Sequence, residues 1–486
     1  MENGAESILV IGSGPGGMGV ATLLQSRGHQ VTLLEKNRFY GGKCSSYTRD
    51  AFLVDSAFHI FSMGESGPHG EITRRVRGDL QWTVHNPFAT ARFGGLGYVK
   101  VAQSIPVWIP YSMKAYATRT MRASVFNNLR LVLKNFGIRG LIDTMIKIAM
   151  VDENFLSSMD DMTGREFLLK FTEDRQAHQL FGNLALLAFV IPYTEASAGE
   201  LIWCLANAYR KHTMGVPKGG VREVCGSFMR AFLRDGGALR TGCEVNRILV
   251  EGGKARGVET SEGEEITADV VVSNAGIKRT VEMAGPENFP DEYVSYVQGL
   301  RESYAALIVK FALDRRIEAI PNYCFLNIPD IEADHMVDYV WEGGVSEDPP
   351  FCMVMPPDWD PRIAPPGKQL IIAGGMGKPE ITPQNISHCE QILDKVEERV
   401  IELFPEIQGH VEWKERNHVA HIGAITGKPT GECIGLAQCV GQVGAKKPSP
   451  RTPVEDLWLV GCDAGARGVG TEQAAGSAIL LSNLLT

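Results

Sequence analysis

Residues 8–35 read ILVIGSGPGGMGVATLLQSRGHQVTLLE, and the fold is decided here. Ile8-Leu9-Val10-Ile11 is a short, wholly apolar run of the kind that forms a strand buried on both faces of a parallel sheet. It leads directly into Gly12-Ser13-Gly14-Pro15-Gly16-Gly17, which satisfies GxGxxG through Gly12, Gly14 and Gly17. Met18 to Ser26 then reads as a helix with Gly19, Val20, Leu23 and Leu24 on one face. Gly28 ends it, and Val31 to Leu34 is a second strand closing at Glu35. Each part has a physical reason. Gly12 allows the tight turn, Gly14 lets the backbone approach a pyrophosphate, and Gly17 permits close helix–strand packing, while the helix N-terminus faces the anion. Glu35 lies 18 residues after Gly17, where a carboxylate can accept both ribose hydroxyls. Strand, glycines, helix, second strand and acid in that order describe a dinucleotide site.

The acid also selects. A carboxylate at the ribose disfavours a 2′-phosphate, so NADP is excluded and FAD or NAD remains. The following Arg38-Phe39-Tyr40-Gly41-Gly42-Lys43-Cys44 places two more glycines and two cations just after Glu35. Such a pair can bring backbone N–H groups and charge to the same pyrophosphate, or be a solvated surface loop.

The remaining composition narrows the class. At 486 residues the chain has room for two or three domains. Its 44% hydrophobic and 22% charged content is that of a globular protein, not of a disordered or fibrous one. A net charge of −9 argues against nucleic acid as the main partner. The ten cysteines form no CxxC and no zinc-spaced cluster with histidine, and read as reduced, buried thiols of a cytosolic protein. No signal peptide is visible ahead of Ile8, so the sequon at Asn385-Ile386-Ser387 reads as a chance match. GxSxG, HExxH and Walker motifs are missing, which removes hydrolase, zinc-protease and NTPase readings.

The run VIGSGPGGMGVATLLQSRGHQVTLLEKNRFYGGKCSSY, followed by FLVDSAFHIFS, resembles the FAD-binding start of the phytoene desaturase branch of the amine oxidase-like flavoproteins. Residues 215–275 resemble that family's middle segment, and LWLVGCDAGARGVGTEQAAGSAIL at 457–480 its closing flavin-binding segment. The resemblance implies an α/β fold: a discontinuous Rossmann-type FAD-binding domain with an inserted α+β substrate domain and a helical lid. On this reading residues 1–96, 214–290 and 446–486 build the FAD domain, 97–213 the lid and 291–445 the substrate domain. The implied cofactor-binding residues are Gly12, Gly14, Pro15, Gly16, Gly17, Glu35, Lys36, Gly41, Gly42 and Lys43, with Val245 and Asn274 from the middle segment and Gly461, Asp463, Gly470 and Thr471 from the last. Local patterns agree. Gly242–Val250 and Ala255–Thr260 read as a hairpin turning at Gly252-Gly253, and Val270 to Ala275 as another buried strand.

Three residues are candidates for chemistry. His59, after Asp55-Ser56-Ala57-Phe58, falls near the flavin ring in the family and has a side chain suited to proton transfer near neutrality, or to a core hydrogen bond. Carotenoid desaturases usually carry a Pro- and Gly-rich closing run without acids; Arg467 and Glu472 here lie closer to the amine oxidase side. For Glu472 the alternatives are a salt bridge or a helix N-terminal charge. An amine oxidase would want an aromatic pair, for which Trp203, Tyr193 and Tyr304 are available.

Between the three segments lie the regions that set substrate and location. Residues 97–150 hold eight basic residues and one acid, Asp143, interleaved with aromatic and aliphatic side chains. That reads as a peripheral membrane contact or as a lid with a solvated basic face. The uncharged run Val101 to Met113 is too short, and too broken by Pro106 and Pro110, to span a bilayer. Leu184 to Ile191 reads as a buried helix facing a pocket, and Ala198 to Arg210 as a second one. Ala305–Phe311 and Leu370–Ala373 read as strands of a second sheet that packs a substrate over the flavin. No second GxGxxG occurs, so electrons leave to oxygen, a quinone or another acceptor rather than to NAD docked on its own domain. The expectation is an FAD-dependent oxidoreductase, cytoplasmic or on the membrane surface, that removes hydride from a C–C unit of a hydrophobic substrate. Amine oxidation, double-bond isomerisation and saturation are the alternatives on the same fold.

Overall fold

A computed structural model describes residues 6–94, 97–101 and 119–485. The apolar run at the start is the middle strand of a five-stranded sheet in the order Leu457–Leu459, Val270–Ser273, Ser7–Ile11, Gln30–Glu35, Ala238–Thr241, every pair parallel. A strand covered on both faces has no polar side to show, which is why Leu9, Val10, Val271 and Val272 are all buried. The first helix is Pro15–Gln25, three residues earlier than its apolar face begins. Proline at its N1 position costs nothing, because that N–H would be unpaired anyway. Helix Gly470–Leu484 packs beside it, and a Cβ at Gly19 would stand 3.2 Å from that of Ala478. The hairpin Val245–Glu251 and Lys254–Thr260 gains a third strand, Glu265–Thr267.

The second sheet has seven strands, in the order Val411–Asn417, Ala305–Leu313, Gln369–Gly377, Phe351–Val354, Cys324–Ile328, Ala89–Phe93 and Gly97–Val101. Ala89–Phe93 pairs in parallel with Cys324–Ile328, so the chain leaves the cofactor sheet and joins the second sheet before residue 96. Helix Pro383–Leu403 covers this sheet through Ile392, Leu393, Val396 and Val400. Asn385 lies in its first turn with its amide donating to the Lys378 and Glu380 carbonyls, a buried position for the sequon.

Helices Arg175–Phe189 and Ala198–Lys211 form the lid over the space between the sheets, each capped by a side chain, Asp174 and Ser197 respectively. Ahead of them runs Arg119–Met150, broken at Gly137, whose φ of 63° ends one helix and starts the next. Residues 102–118, which hold most of the uncharged 101–113 run, lie outside the described residues. Among the described residues no helix is long and apolar enough to cross a membrane. All ten cysteines are free thiols, and no metal-binding cluster occurs among the described residues.

Candidate active site

A cavity of about 420 Å³ runs from the glycine turn, between the two sheets, to the lid helices. One end is polar. Gly12, Ser13, Gly14, Pro15 and Gly16 line it, joined by Glu35, Lys36, Gly42, Lys43, Val245, Asn274, Gly461, Asp463, Gly470, Thr471 and Glu472. Gly17 and Gly41 stand just behind. A Cβ on Gly17 would lie 1.9 Å from the Gly12 carbonyl oxygen, and the Gly41 N–H donates to Ser13 Oγ at 3.1 Å.

This end fits a dinucleotide. Gly14 is the N-cap of helix Pro15–Gln25 and no side chain caps it, which leaves the first N–H groups facing the cavity. A Cβ on Gly16 would meet Asn274 Oδ1 and Gly461 Cα at 2.8 Å, so three chain segments, two by backbone and one by a side chain, close on one cradle. Glu35 is buried and already engaged: Oε2 accepts from Ser13 N (3.0 Å) and Oγ (2.6 Å), Oε1 from Asn37 N and Nδ2 (2.8 Å each). A carboxylate has roughly four acceptor positions, so ribose hydroxyls reach this one by displacing the side-chain donors, Ser13 Oγ or Asn37 Nδ2.

The three candidates for chemistry separate. His59 lines the cavity, with Nδ1 3.2 Å from the Ala57 carbonyl and Nε2 3.5 Å from Cys44 Sγ. Burial, assisted by the Lys43 ammonium, pulls its pKa down to about 4, so the ring is neutral at pH 7 and is not the near-neutral proton carrier its residue type promised. Donation from Nδ1 to Ala57 leaves Nε2 as the acceptor for the Cys44 thiol. Arg467 does not line the cavity. Its guanidinium grips both Asp160 oxygens at 2.9 and 2.8 Å, and also Glu153 at 2.6 Å. Buried Glu200, which accepts from Lys447 and from the Gly468 N–H, completes this clamp between the lid and the loop before the last helix. Glu472 stays, buried against the cavity, and makes no ion pair among the described residues. Its Oε1 accepts from Met63 N at 2.6 Å and its Oε2 from Ser62 Oγ at 2.5 Å. Burial raises its pKa despite those hydrogen bonds.

The other end is apolar. Phe58, Ile60, Phe88, Leu184, Leu187, Leu205, Met214, Ile308, Leu326 and Phe351 line it, with Asn183 and Tyr209 as polar exceptions. The three aromatic residues considered for an amine site, Trp203, Tyr193 and Tyr304, do not line the cavity. Tyr193 bonds Asp334 at 2.7 Å, Tyr304 bonds Glu195 at 3.2 Å, and Trp203 packs at Gly468. Residues 422–435 were missed by sequence reasoning: Ile422, Ile425, Thr426, Gly427, Lys428, Cys433, Ile434 and Gly435 all reach the polar end. No motif marks them, because only the tertiary return of the chain brings them there.

A parallel glycine-turn sheet, a cradle closed by the last helix and a long apolar annex together define an FAD-dependent oxidoreductase. A model of flavin-containing amine oxidoreductases matches residues 15–485, and the chain belongs to that family. Its relatives include the all-trans-retinol 13,14-reductase of Danio rerio, 24% identical over 98% of this chain and 86% of the other. The zeta-carotene-forming phytoene desaturase of Myxococcus xanthus is also 24% identical, over 93% and 89%. Among solved structures, an oxidoreductase from Methanosarcina mazei superimposes with a TM-score of 0.71 at 19% identity, covering 98% of this chain and 100% of that one.

Proposed function

We propose that the protein dehydrogenates a C–C unit of an elongated apolar substrate, with the substrate lying in the annex between the lid and the second sheet. The observation that carries this reading is the wall itself, in which aliphatic and aromatic side chains from Phe58 and Ile60, the lid helices and the second sheet enclose an apolar space. The relatives named for a retinol and for a carotene intermediate support the same substrate class. FAD, when bound, supplies the two-electron acceptor. The chain's own part is to orient the substrate, exclude water and take the proton. Ser62 and Glu472 both line the cavity and share a hydrogen bond. A proton arriving at Ser62 Oγ passes Ser62's own proton on to Glu472 Oε2, and charge balances without a second base. Neutral His59, held by Ala57 and Cys44, shapes the wall beside them. The electron acceptor is then oxygen or a quinone.

Anaerobic mixing tests this. A polyisoprenoid in detergent micelles is expected to bleach the flavin band near about 450 nm, whereas a panel of amines leaves it unchanged. Bleaching by amines alone would overturn the reading in favour of an amine oxidase.

We propose a location as well, carried by the second half of helix Arg119–Met150. Ile138, Ile142, Met145, Ile146 and Met150 recur at helical spacing and all stand in solvent, Ile138 at 67% and Met150 at 69% exposure. Arg130, Lys134 and Arg139 stand along the same run, and Lys147 pairs with Asp143 at 2.8 Å. An apolar stripe flanked by cations is the pattern of a helix lying at an anionic lipid surface. The chain is expected to float with phosphatidylglycerol vesicles, and Ile142→Asp with Ile146→Asp to stay in the pellet fraction. Equal flotation of both would remove the membrane contact.

A further inference from the structure

The segment after strand Val411–Asn417 returns from the second sheet to the cofactor end of the cavity. Helix Val419–Thr426 and the residues following it are fastened to the loop after Glu35 at three points. Lys36 Nζ donates to the Ala424 carbonyl (2.6 Å), Asn37 Nδ2 to that of Ile425 (2.9 Å), and Lys43 Nζ to that of Glu432 (3.0 Å). At the centre is a fully buried carboxylate, Glu432, set between two ammoniums. Lys428 Nζ lies 3.0 Å and Lys43 Nζ 3.3 Å from its Oε1. Burial alone would raise the Glu432 pKa, but Lys428 and Lys43 bring it down to about 2, so the carboxylate is ionised.

Lys428 is the unusual member. Both its neighbours in charge have other donors: Glu432 also faces Lys43, and Asp463 accepts from the N–H groups of Ile277 and Leu436. An ammonium has three donors, and Lys428 Nζ makes one hydrogen bond among the described residues, with Asp463 Oδ2 at 3.7 Å. Its side chain faces the cavity beside Gly276, where a Cβ would stand 2.9 Å from Nζ. A partly buried cation with donors to spare, held in place by a carboxylate behind it and aimed into a dinucleotide cavity, has the chemistry of an anion contact.

We propose that Lys428 binds the pyrophosphate of FAD from outside the dinucleotide fold, with Glu432 as its anchor. Loading the cofactor thereby fastens the 419–435 segment over the site. Two negative charges on the pyrophosphate suit the cation pair Lys428 and Lys43. The coupling runs both ways, since whatever tightens the segment also tightens FAD.

Titration of the full-length apoprotein with FAD and, separately, with riboflavin tests this, because riboflavin lacks the pyrophosphate. Lys428→Met is expected to weaken FAD binding by about ten- to a hundredfold, the worth of a charge-assisted hydrogen bond, and to leave riboflavin binding unchanged. Lys428→Arg is expected to recover most of the loss. Hydrogen exchange in residues 419–435 is expected to slow on adding FAD to the wild type, and to slow far less in Lys428→Met. Wild-type FAD affinity in Lys428→Met would overturn the proposal. An equal loss of FAD and riboflavin would do so too, and would make the lysine a structural member only. Neither result bears on which substrate is oxidised.

Discussion

Gly16→Val is expected to purify colourless. A Cβ at this position stands 2.8 Å from Gly461 Cα and 3.0 Å from Gly461 N, which are backbone atoms of the closing segment, and 2.8 Å from Asn274 Oδ1. The Gly461 backbone has little freedom to yield and the Asn274 side chain closes the other approach, so the added methyls push the glycine turn away from its partners at the point where the pyrophosphate must approach. Overpacking costs roughly 1–3 kcal/mol by itself, and any widening of the cradle removes backbone donors from the phosphate as well. FAD affinity is therefore expected to fall by at least about a hundredfold. The ratio of flavin to protein absorbance on the purified variant measures it. A thermal melt of the apoprotein checks that the second sheet, whose core is separate, still folds. A fully yellow Gly16→Val protein would show that this cradle is not where the cofactor lies.

The second large effect is expected at Glu472. Glu472→Gln keeps the shape and removes the proton acceptor behind Ser62, so kcat is expected to fall by about 10²- to 10⁴-fold, the usual worth of general base catalysis. FAD content should be unchanged. The pH profile separates this role from simple positioning. Because burial raises its pKa, Glu472 is the ionised acceptor only above a value higher than that of an ordinary glutamate. The wild-type rate should therefore fall as pH drops through that raised value, and the acid limb should vanish in Glu472→Gln. Ser62→Ala should lower kcat while keeping the limb. A Glu472→Gln enzyme with wild-type kcat and an unchanged profile would return the carboxylate to the role of fastening Met63 N and Ser62 to the last helix.

What the sequence made legible is what local chemistry dictates. The glycine turn, the two strands about it and Glu35 are encoded within 28 consecutive residues, and their geometry follows from φ preferences and close packing that only glycine permits. Of the lid helices the second was legible, Ala198 to Arg210 against the observed Ala198–Lys211, whereas the first, read as Leu184 to Ile191, runs from Arg175 to Phe189, its polar first half hiding it from an apolar pattern. Lys428, Ser62 and Asn37 were not legible. Ser62 and Asn37 are ordinary polar residues whose meaning comes from partners hundreds of positions away, Glu472 and Ile425, and the i,i+4 pair of Lys428 with Glu432 reads as a surface ion pair until Lys43 and Asp463 are brought beside it. Arg467 errs in the opposite direction. An arginine beside a flavin motif reads as chemistry, but Asp160, Glu153 and Glu200 lie some 270 to 310 residues earlier and take up its guanidinium. His59 lines the cavity, and burial, which no sequence displays, pulls its pKa down to about 4 and takes it out of the range where it would carry protons near neutrality.

The parallel sheet around Ser7–Ile11 has a consequence for the order of folding. Ser7–Ile11 pairs with Val270–Ser273, and that strand in turn with Leu457–Leu459, so two of the sheet's ladders join residues far apart in the chain. Such long-range parallel pairings form slowly and leave apolar strand edges open in the meantime. The cradle, whose walls meet where Gly16, Asn274 and Gly461 come together, needs both ladders and is therefore completed late, after the glycine turn that seeds it.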